Sequence, residues 1–323
     1  MTTFETIRES ISPEINRLNE RMRAALYSRS DLLNNVVETY LQSKGKQIRP
    51  IIVILSAKFF GNVNDNVISG AAAIELLHNA SLIHDDVIDE TRTRRGRPTV
   101  NSIWDNHIAV LAGDYFVSNA LQCSISTGDL RVISSISELG KTLSTGELDQ
   151  IDIARRHNIN EESYFSIIGR KTASLFRSCV EVGGYTAGAT EADIETLANF
   201  MEKLGLCFQI KDDIFDYSHD EKVGKPTGND LREGKVTLPL IYALQQPTEQ
   251  AEAMRRLLNN DSLSDAEIDT LIEFAKAEGG IDYAYQTMER IRTEAFELLA
   301  PYADSEAKDA FLSLFNYIIK RHH

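Results

Sequence analysis

Two pentapeptides of the form Asp-Asp-x-x-Asp constrain this chain more than any other feature. They are Asp85-Asp86-Val87-Ile88-Asp89 and Asp212-Asp213-Ile214-Phe215-Asp216, and each closes an apolar stretch with helical spacing. On a helix, residues four apart share a face. Asp85 therefore stacks on Asp89, with Asp86 about 100° around the axis. Like charges so placed repel and weaken the helix unless a cation sits between them. Carboxylates at the end of a buried helix also need compensation. Hard oxygen ligands suit Mg²⁺, which is usually held by one or two carboxylates plus substrate phosphates. One such pentapeptide reads as a solvated helix end. Two of them, each followed by a basic loop, read as paired metal sites facing one diphosphate.

The basic residues around these motifs have their own pattern. Arg92, Arg94, Arg95 and Arg97 crowd into the loop after Asp89. Lys46 and Arg49 precede Pro50 at the start of the next helical stretch. Backbone N–H groups and two cations converge there, as at a phosphate site. His78 lies seven residues before Asp85, about two turns away on nearly the same face. A lone histidine on an apolar helix is more often a satisfied core residue, and His84 and Trp104 are read that way.

In these motifs the chain resembles the trans-isoprenyl diphosphate synthases, the polyprenyl synthetase family. The likeness runs from about Lys44 to Lys235 through six motifs and is closest to the octaprenyl-type, medium- and long-chain members. It implies an all-α fold: an isoprenoid-synthase-type helical bundle with a central active-site cavity, in one polyprenyl synthetase domain over 1–323. It implies that Asp85, Asp86, Asp89, Asp212, Asp213 and Asp216 bind Mg²⁺, three ions per site, with Mn²⁺ able to substitute. Isopentenyl diphosphate is assigned to Lys46, Arg49, His78 and Arg95. The allylic diphosphate is assigned to Arg94, Lys171, Lys225 and Lys235. The Lys171 carbonyl, the Thr172 hydroxyl and Gln209 are assigned to the developing carbocation. Head-to-tail condensation follows, with the departing diphosphate as base.

Small residues before Asp85 set the expected product length. Each helical turn rises about 5.4 Å, comparable to one isoprene unit. Ser81 lies one turn back on the Asp85 face; Ala80 is tunnel-lining by resemblance. Aromatic residues there accompany short products in the family. With both small, the tunnel continues to Leu77, and the expected product is roughly C30 to C50. Alternatives are a short-chain farnesyl or geranylgeranyl synthase, a terpene cyclase and a subunit of a heteromeric synthase. The second Asp-Asp-x-x-Asp argues against a cyclase, and the presence of both motifs argues against a non-catalytic subunit.

The remaining chain bounds the setting. Lys+Arg 34 against Asp+Glu 48 gives a net charge of −14, so nucleic-acid binding is not expected. Cys123, Cys179 and Cys207 are far apart without zinc spacing and read as buried thiols of a reducing compartment. The N-terminal residues carry no signal-peptide pattern, and no apolar run approaches the roughly 20 residues that span a bilayer. A cytoplasmic homodimer, touching membrane only to release product, is the expectation. Ser12 reads as an N-cap with Pro13 in the first turn. Helices are expected at about 102–127, 129–156 and 161–188, with possible kinks at glycines 169, 183 and 184. A loop from Ser218 to Lys235 reads as a lid. Ser264 and Glu267 form a capping box, and no segment alternates like a strand.

Overall fold

The computed structural model describes residues 4–42, 45–155, 160–217, 227–260 and 262–321, and they are almost entirely helical. Among the described residues the only strands are Thr93–Arg94 and Arg97–Pro98, a two-residue antiparallel pair. The fold is all-α, as the periodicity requires. The chain forms two compact units: Met1–Lys141 with Phe176–Ala198 and Asp304–Phe311, and Thr142–Leu175 with Asn199–Ala303 and Leu312–His323.

The first unit is built on the Asp65–Ile88 helix. From Val67 to Ala80 every residue is buried, as expected of a helix apolar all round its circumference. It packs against the Ser12–Leu26, Ile48–Phe60 and Asn106–Ile125 helices. Small residues bring the partners close. A Cβ on Gly183 would stand 2.5 Å from the Val53 carbonyl oxygen, and one on Gly70 the same distance from Val182. Gly183 and Gly184 therefore act as contact points within one continuous helix, Ser174–Ala187, which they do not interrupt. Gly113 lets the His84 ring approach the Asn106–Ile125 helix closely, consistent with a packing role for His84.

The second unit centres on Leu238–Leu244, which packs against Asp265–Ala277 and Gly280–Leu299. Leu240, Leu244, Leu271, Phe274 and their neighbours form its core. Phe200, Phe296 and Phe315 pack as a second aromatic group.

Several local expectations hold and others change. The Ser264–Glu267 capping box is present. Ser12 is instead the first helical residue, and Ile11 takes the cap position without a side-chain bond. Gly169 begins a π-helical turn, Gly169–Ala173, within a helical stretch from Glu161 to Ala187. Among the described residues one helix, Asn106–Ile125, is long and apolar enough by length and composition to cross a bilayer, contrary to the expectation from the sequence. Its polar residues, Asp114 among them, break the apolar run without lowering the mean hydropathy far. Its Ala112, Gly113, Phe116 and Ala120 are buried. All three cysteines are free and buried, and burial pushes each thiol up.

Candidate active site

The first aspartate motif lies where its helix ends. Asp89 caps the Asp65–Ile88 helix, its N–H reaching the Asp85 carbonyl. The chain then turns sharply, with Glu90 at φ 51° and the Thr91 N–H on the Asp86 carbonyl at 2.9 Å. It folds back as the small hairpin, whose two turn residues, Arg95 and Gly96, both have positive φ. That is the geometry of a two-residue primed turn, which favours Asn, Asp or Gly at the first position. An arginine held there is strained, and such strain is a mark of functional sites.

The hairpin sends its two arginines to different places. Arg94 donates through Nε and Nη2 to Asp86 Oδ1, both at 2.8 Å. Asp86 is buried, whereas Asp85 is half-buried and Asp89 exposed. Arg94 is thus the partner of the middle aspartate. The guanidinium of Arg95 instead lies against Gly45, where an added Cβ would be 2.5 Å from Nη1. The hairpin and the Lys46–Arg49 segment therefore meet, through the one residue without a side chain.

Around that contact the predicted basic residues gather. Gln47, in the left-handed region, starts the Ile48–Phe60 helix. Lys46 is exposed and Arg49 half-buried, its guanidinium 6.0 Å from the Phe176 ring. His78 is buried, and burial holds its pKa well below the usual value, with the charges of Arg49, Arg95 and Arg94 pushing the same way. The imidazole is therefore neutral and donates through one N–H only. Glu75, one turn earlier, was not anticipated from the sequence. Burial raises its carboxyl pKa, while Arg49 and Arg95 pull it down. An acid inside an otherwise apolar helix, three residues before His78, was the available signal. Leu77 and Ala80 are buried on the same helix, and Ser81 donates to the His78 carbonyl at 2.9 Å.

The second motif ends the Glu191–Asp216 helix, and a connected set of hydrogen bonds surrounds it. Thr172 Oγ1 donates to Gln209 Oε1 at 2.7 Å, and Gln209 Nε2 donates to Asp213 Oδ1 at 2.8 Å. Tyr164 donates to the other oxygen of Asp213 at 2.6 Å. Burial, then the charge of Asp230, pushes the Asp213 carboxyl well up. Asp216 accepts from the backbone N–H groups of Asn229 and Asp230, each at 3.0 Å, at the start of the Asn229–Arg232 helix. Asp212 pairs with Arg321 at 2.5 Å. Lys171, in the π turn, reaches Glu147 at 2.6 Å and Gln150 at 2.9 Å. Lys235 pairs with Glu233. Tyr164, Asp230 and Arg321 were not anticipated. Their approach is tertiary, and only Asp230 lay inside a segment the sequence marked as functional.

A cavity of about 480 Å³ opens beside this network. Lys171, Thr172, Gln209, Asp213, Asp230 and Lys235 are among its polar lining, and Ile153, Ile167, Ile168, Ile241 and Leu258 are among its apolar lining. Burial and the neighbouring Asp216 push the Asp230 carboxyl up to about 7, against the pull of Lys235. Lys225 lies outside the described residues, as does the first half of the expected lid, 218–226.

The carboxylates suit a hard cation, but not as a closed cage. Among the described residues no three metal-ligating side chains cluster for one ion. Asp86, Asp213 and Asp216 are committed to Arg94, to Tyr164 and Gln209, and to backbone N–H groups. Asp85 and Asp89 stand at the i, i+4 spacing on the half-buried to exposed end of their helix, and Asp212 keeps 40% of its side chain exposed. One or two carboxylates per ion, with phosphate completing the shell, is the usual habit of Mg²⁺.

A polyprenyl synthetase family model matches residues 30–275. The octaprenyl diphosphate synthase of Escherichia coli is 33% identical over 320 residues, covering 98% of this chain and 99% of that protein. A decaprenyl diphosphate synthase structure from Rhodobacter capsulatus superposes with a TM-score of 0.93 at 30% identity, over 99% of each chain. A geranylgeranyl pyrophosphate synthase structure from Bacteroides thetaiotaomicron gives 0.85 at 36% identity, over 98% of each chain.

Proposed function

Since this chain belongs to the polyprenyl synthetase family and has its all-α isoprenoid synthase fold, it is a prenyltransferase, and we propose that it extends an allylic diphosphate with isopentenyl diphosphate to an all-trans polyprenyl diphosphate of medium to long chain. The observation that carries this reading is the second-unit cavity. It joins two lysines and a threonine–glutamine pair to an apolar wall, as a charged head and a hydrocarbon tail require.

The residues divide the chemistry. Lys171 and Lys235 supply fixed positive charge where the leaving diphosphate becomes more negative. The oxygens of Thr172 and Gln209 offer dipoles to the allylic cation. The isoleucines keep water from it. Lys46, Arg49, Arg95 and neutral His78 hold isopentenyl diphosphate in one orientation, which replaces a rare encounter. Asp85, Asp86, Asp89, Asp212, Asp213 and Asp216 would hold Mg²⁺, which neutralises the diphosphate and makes it a leaving group. Arg94 keeps Asp86 in place, a role that precedes any contact with substrate. Lys225 keeps its assignment to the allylic diphosphate by resemblance alone.

We read 1–323 as one polyprenyl synthetase domain, supported by a family match that runs through both units. A cytoplasmic homodimer fits the exposed Val110, Leu111, Leu121 and Ile125 of the Asn106–Ile125 helix, with membrane contact limited to product release.

Product analysis tests the reading. Isopentenyl diphosphate, an allylic primer and Mg²⁺ should give products of roughly C30 to C50, and Ala80→Tyr should shift them towards C15–C20. A wild type that stops at C20 would favour the short-chain reading, to which the 36% identity with a geranylgeranyl pyrophosphate synthase also points. Dependence on a second polypeptide would make it a heteromeric subunit.

Substrate roles separate through Gly45. Gly45→Ala pushes a methyl into the Arg95 guanidinium. It should raise KM for isopentenyl diphosphate about tenfold, the worth of one charge-assisted hydrogen bond, with the allylic KM unchanged. Lys46→Ala should do the same. Equal effects on both substrates would dissolve this division.

A further inference from the structure

The outer aspartate of the second motif is held by a residue from the far end of the sequence. Arg321 directly follows the Glu306–Lys320 helix, its N–H on the Tyr317 carbonyl at 2.9 Å. Its Nη2 donates to Asp212 Oδ1 at 2.5 Å and to the Phe208 carbonyl at 3.0 Å. The guanidinium carbon stands 4.1 Å from the centre of the Phe208 ring and 5.6 Å from that of Phe215. The arginine side chain is only 11% exposed, whereas Asp212 is 40% exposed. Two rings, a carbonyl and a carboxylate form a built seat for one cation. A mobile surface pair would lack it.

The two motifs use their arginines differently. In the first, Arg94 takes the middle aspartate, Asp86. In the second, the middle aspartate goes to Tyr164 and Gln209, and the arginine takes Asp212, one of the carboxylates assigned above to Mg²⁺. A guanidinium at hydrogen-bonding distance opposes the approach of a dication. A diphosphate brings enough negative charge to offset both.

We propose that Arg321 is a positioning residue, the resident counter-ion of Asp212, which keeps the second motif poor in divalent metal until a diphosphate is bound. The inference rests on the metal reading given above. It predicts ordered binding at this motif: diphosphate admits the ion, and the ion alone is refused.

Mn²⁺ binding to the full chain without any diphosphate tests this, followed through the spin-resonance signal of the free ion. Arg321→Gln should gain a site about tenfold tighter than the wild type shows, the effect of removing one adjacent charge. Arg321→Lys, which keeps the charge, should resemble wild type. Arg321→Gln/Asp212→Asn should lose the gain. Phe208→Leu, which removes the stacked ring and leaves Arg321 in place, should shift affinity the same way by less, and serves if Arg321→Gln fails to fold. Unchanged or weaker Mn²⁺ binding in Arg321→Gln and Phe208→Leu would overturn the inference, as would a gain that survives Asp212→Asn. The metal reading has its own arm. With diphosphate present, Asp212→Asn should bind one ion fewer than wild type, and an equal number would remove that reading and the inference with it.

Discussion

Asp85→Ala should lower kcat about a thousandfold with the fold intact. The size follows from removing a group that stabilises charge mainly as it develops; a thousandfold is about 4 kcal/mol of barrier. The fold should survive because Asp85 is half-buried and loses a like-charged neighbour at i+4. Asp86→Ala should behave differently although it sits in the same pentapeptide. It removes both hydrogen bonds that hold Arg94 and should cost about 1–3 kcal/mol of stability, besides activity. Urea unfolding and steady-state rates on both variants make the comparison. Near-normal turnover of Asp85→Ala in excess Mg²⁺ would end the metal assignment. Equal stability of the two variants would end the structural role given to Asp86.

Gly280→Ala should be the most damaging small substitution in the second unit. A Cβ there would lie 2.1 Å from the Pro239 carbonyl oxygen, 2.7 Å from its carbon and 2.9 Å from the Ala275 carbonyl oxygen. All three are backbone atoms, so no side chain can swing aside. Three helices meet at this point: Gly280–Leu299, Leu238–Leu244 and Asp265–Ala277. Overpacking costs typically about 1–3 kcal/mol, more where the structure cannot relax. About 3 kcal/mol or more is expected here, seen as a lower denaturant midpoint at unchanged m. Gly140→Ala is the matched control. It lies within the Leu130–Arg155 helix with nothing near the added carbon, and should stabilise by about 0.5–1 kcal/mol. A Gly280→Ala midpoint equal to wild type would show that the helices separate more easily than the contact implies.

Much of the architecture was readable because helices announce themselves locally. Apolar spacing located the Asp65–Ile88 and Glu191–Asp216 helices, and the spacing of Ser264 and Glu267 located a cap. The motifs named which residues matter. They did not say what each residue touches. Asp85, Asp86 and Asp89 look alike in one dimension, yet it is the buried Asp86 that accepts both hydrogen bonds from Arg94. Its identity as an anchor comes from a hairpin whose Arg-Gly turn carries no common turn signature. Tyr164 and Arg321 were invisible for the same reason. Their partners lie 49 and 109 residues away, and no periodicity links such positions. The Asn106–Ile125 helix shows the converse error: its length was expected, but scattered polar residues, Asp114 among them, hid how apolar it is on average.

The π turn at Gly169–Ala173 has a consequence for how this stretch can change over time. A π turn closes its hydrogen bond one residue later than an α turn, and one residue is about 100° of rotation. The segments on either side, Glu161–Ile168 and Ser174–Ala187, therefore run out of phase with a single regular helix. A change of residue type anywhere in this span is a local event. A gain or loss of one residue is not, because it turns every side chain beyond it by about 100° and carries Thr172 away from Gln209 or Gly183 away from Val53. Length is thus an inherited constraint in 161–187: one residue gained or lost there should be more damaging than a substitution at positions that touch neither the site nor the close contacts of Gly183 and Gly184.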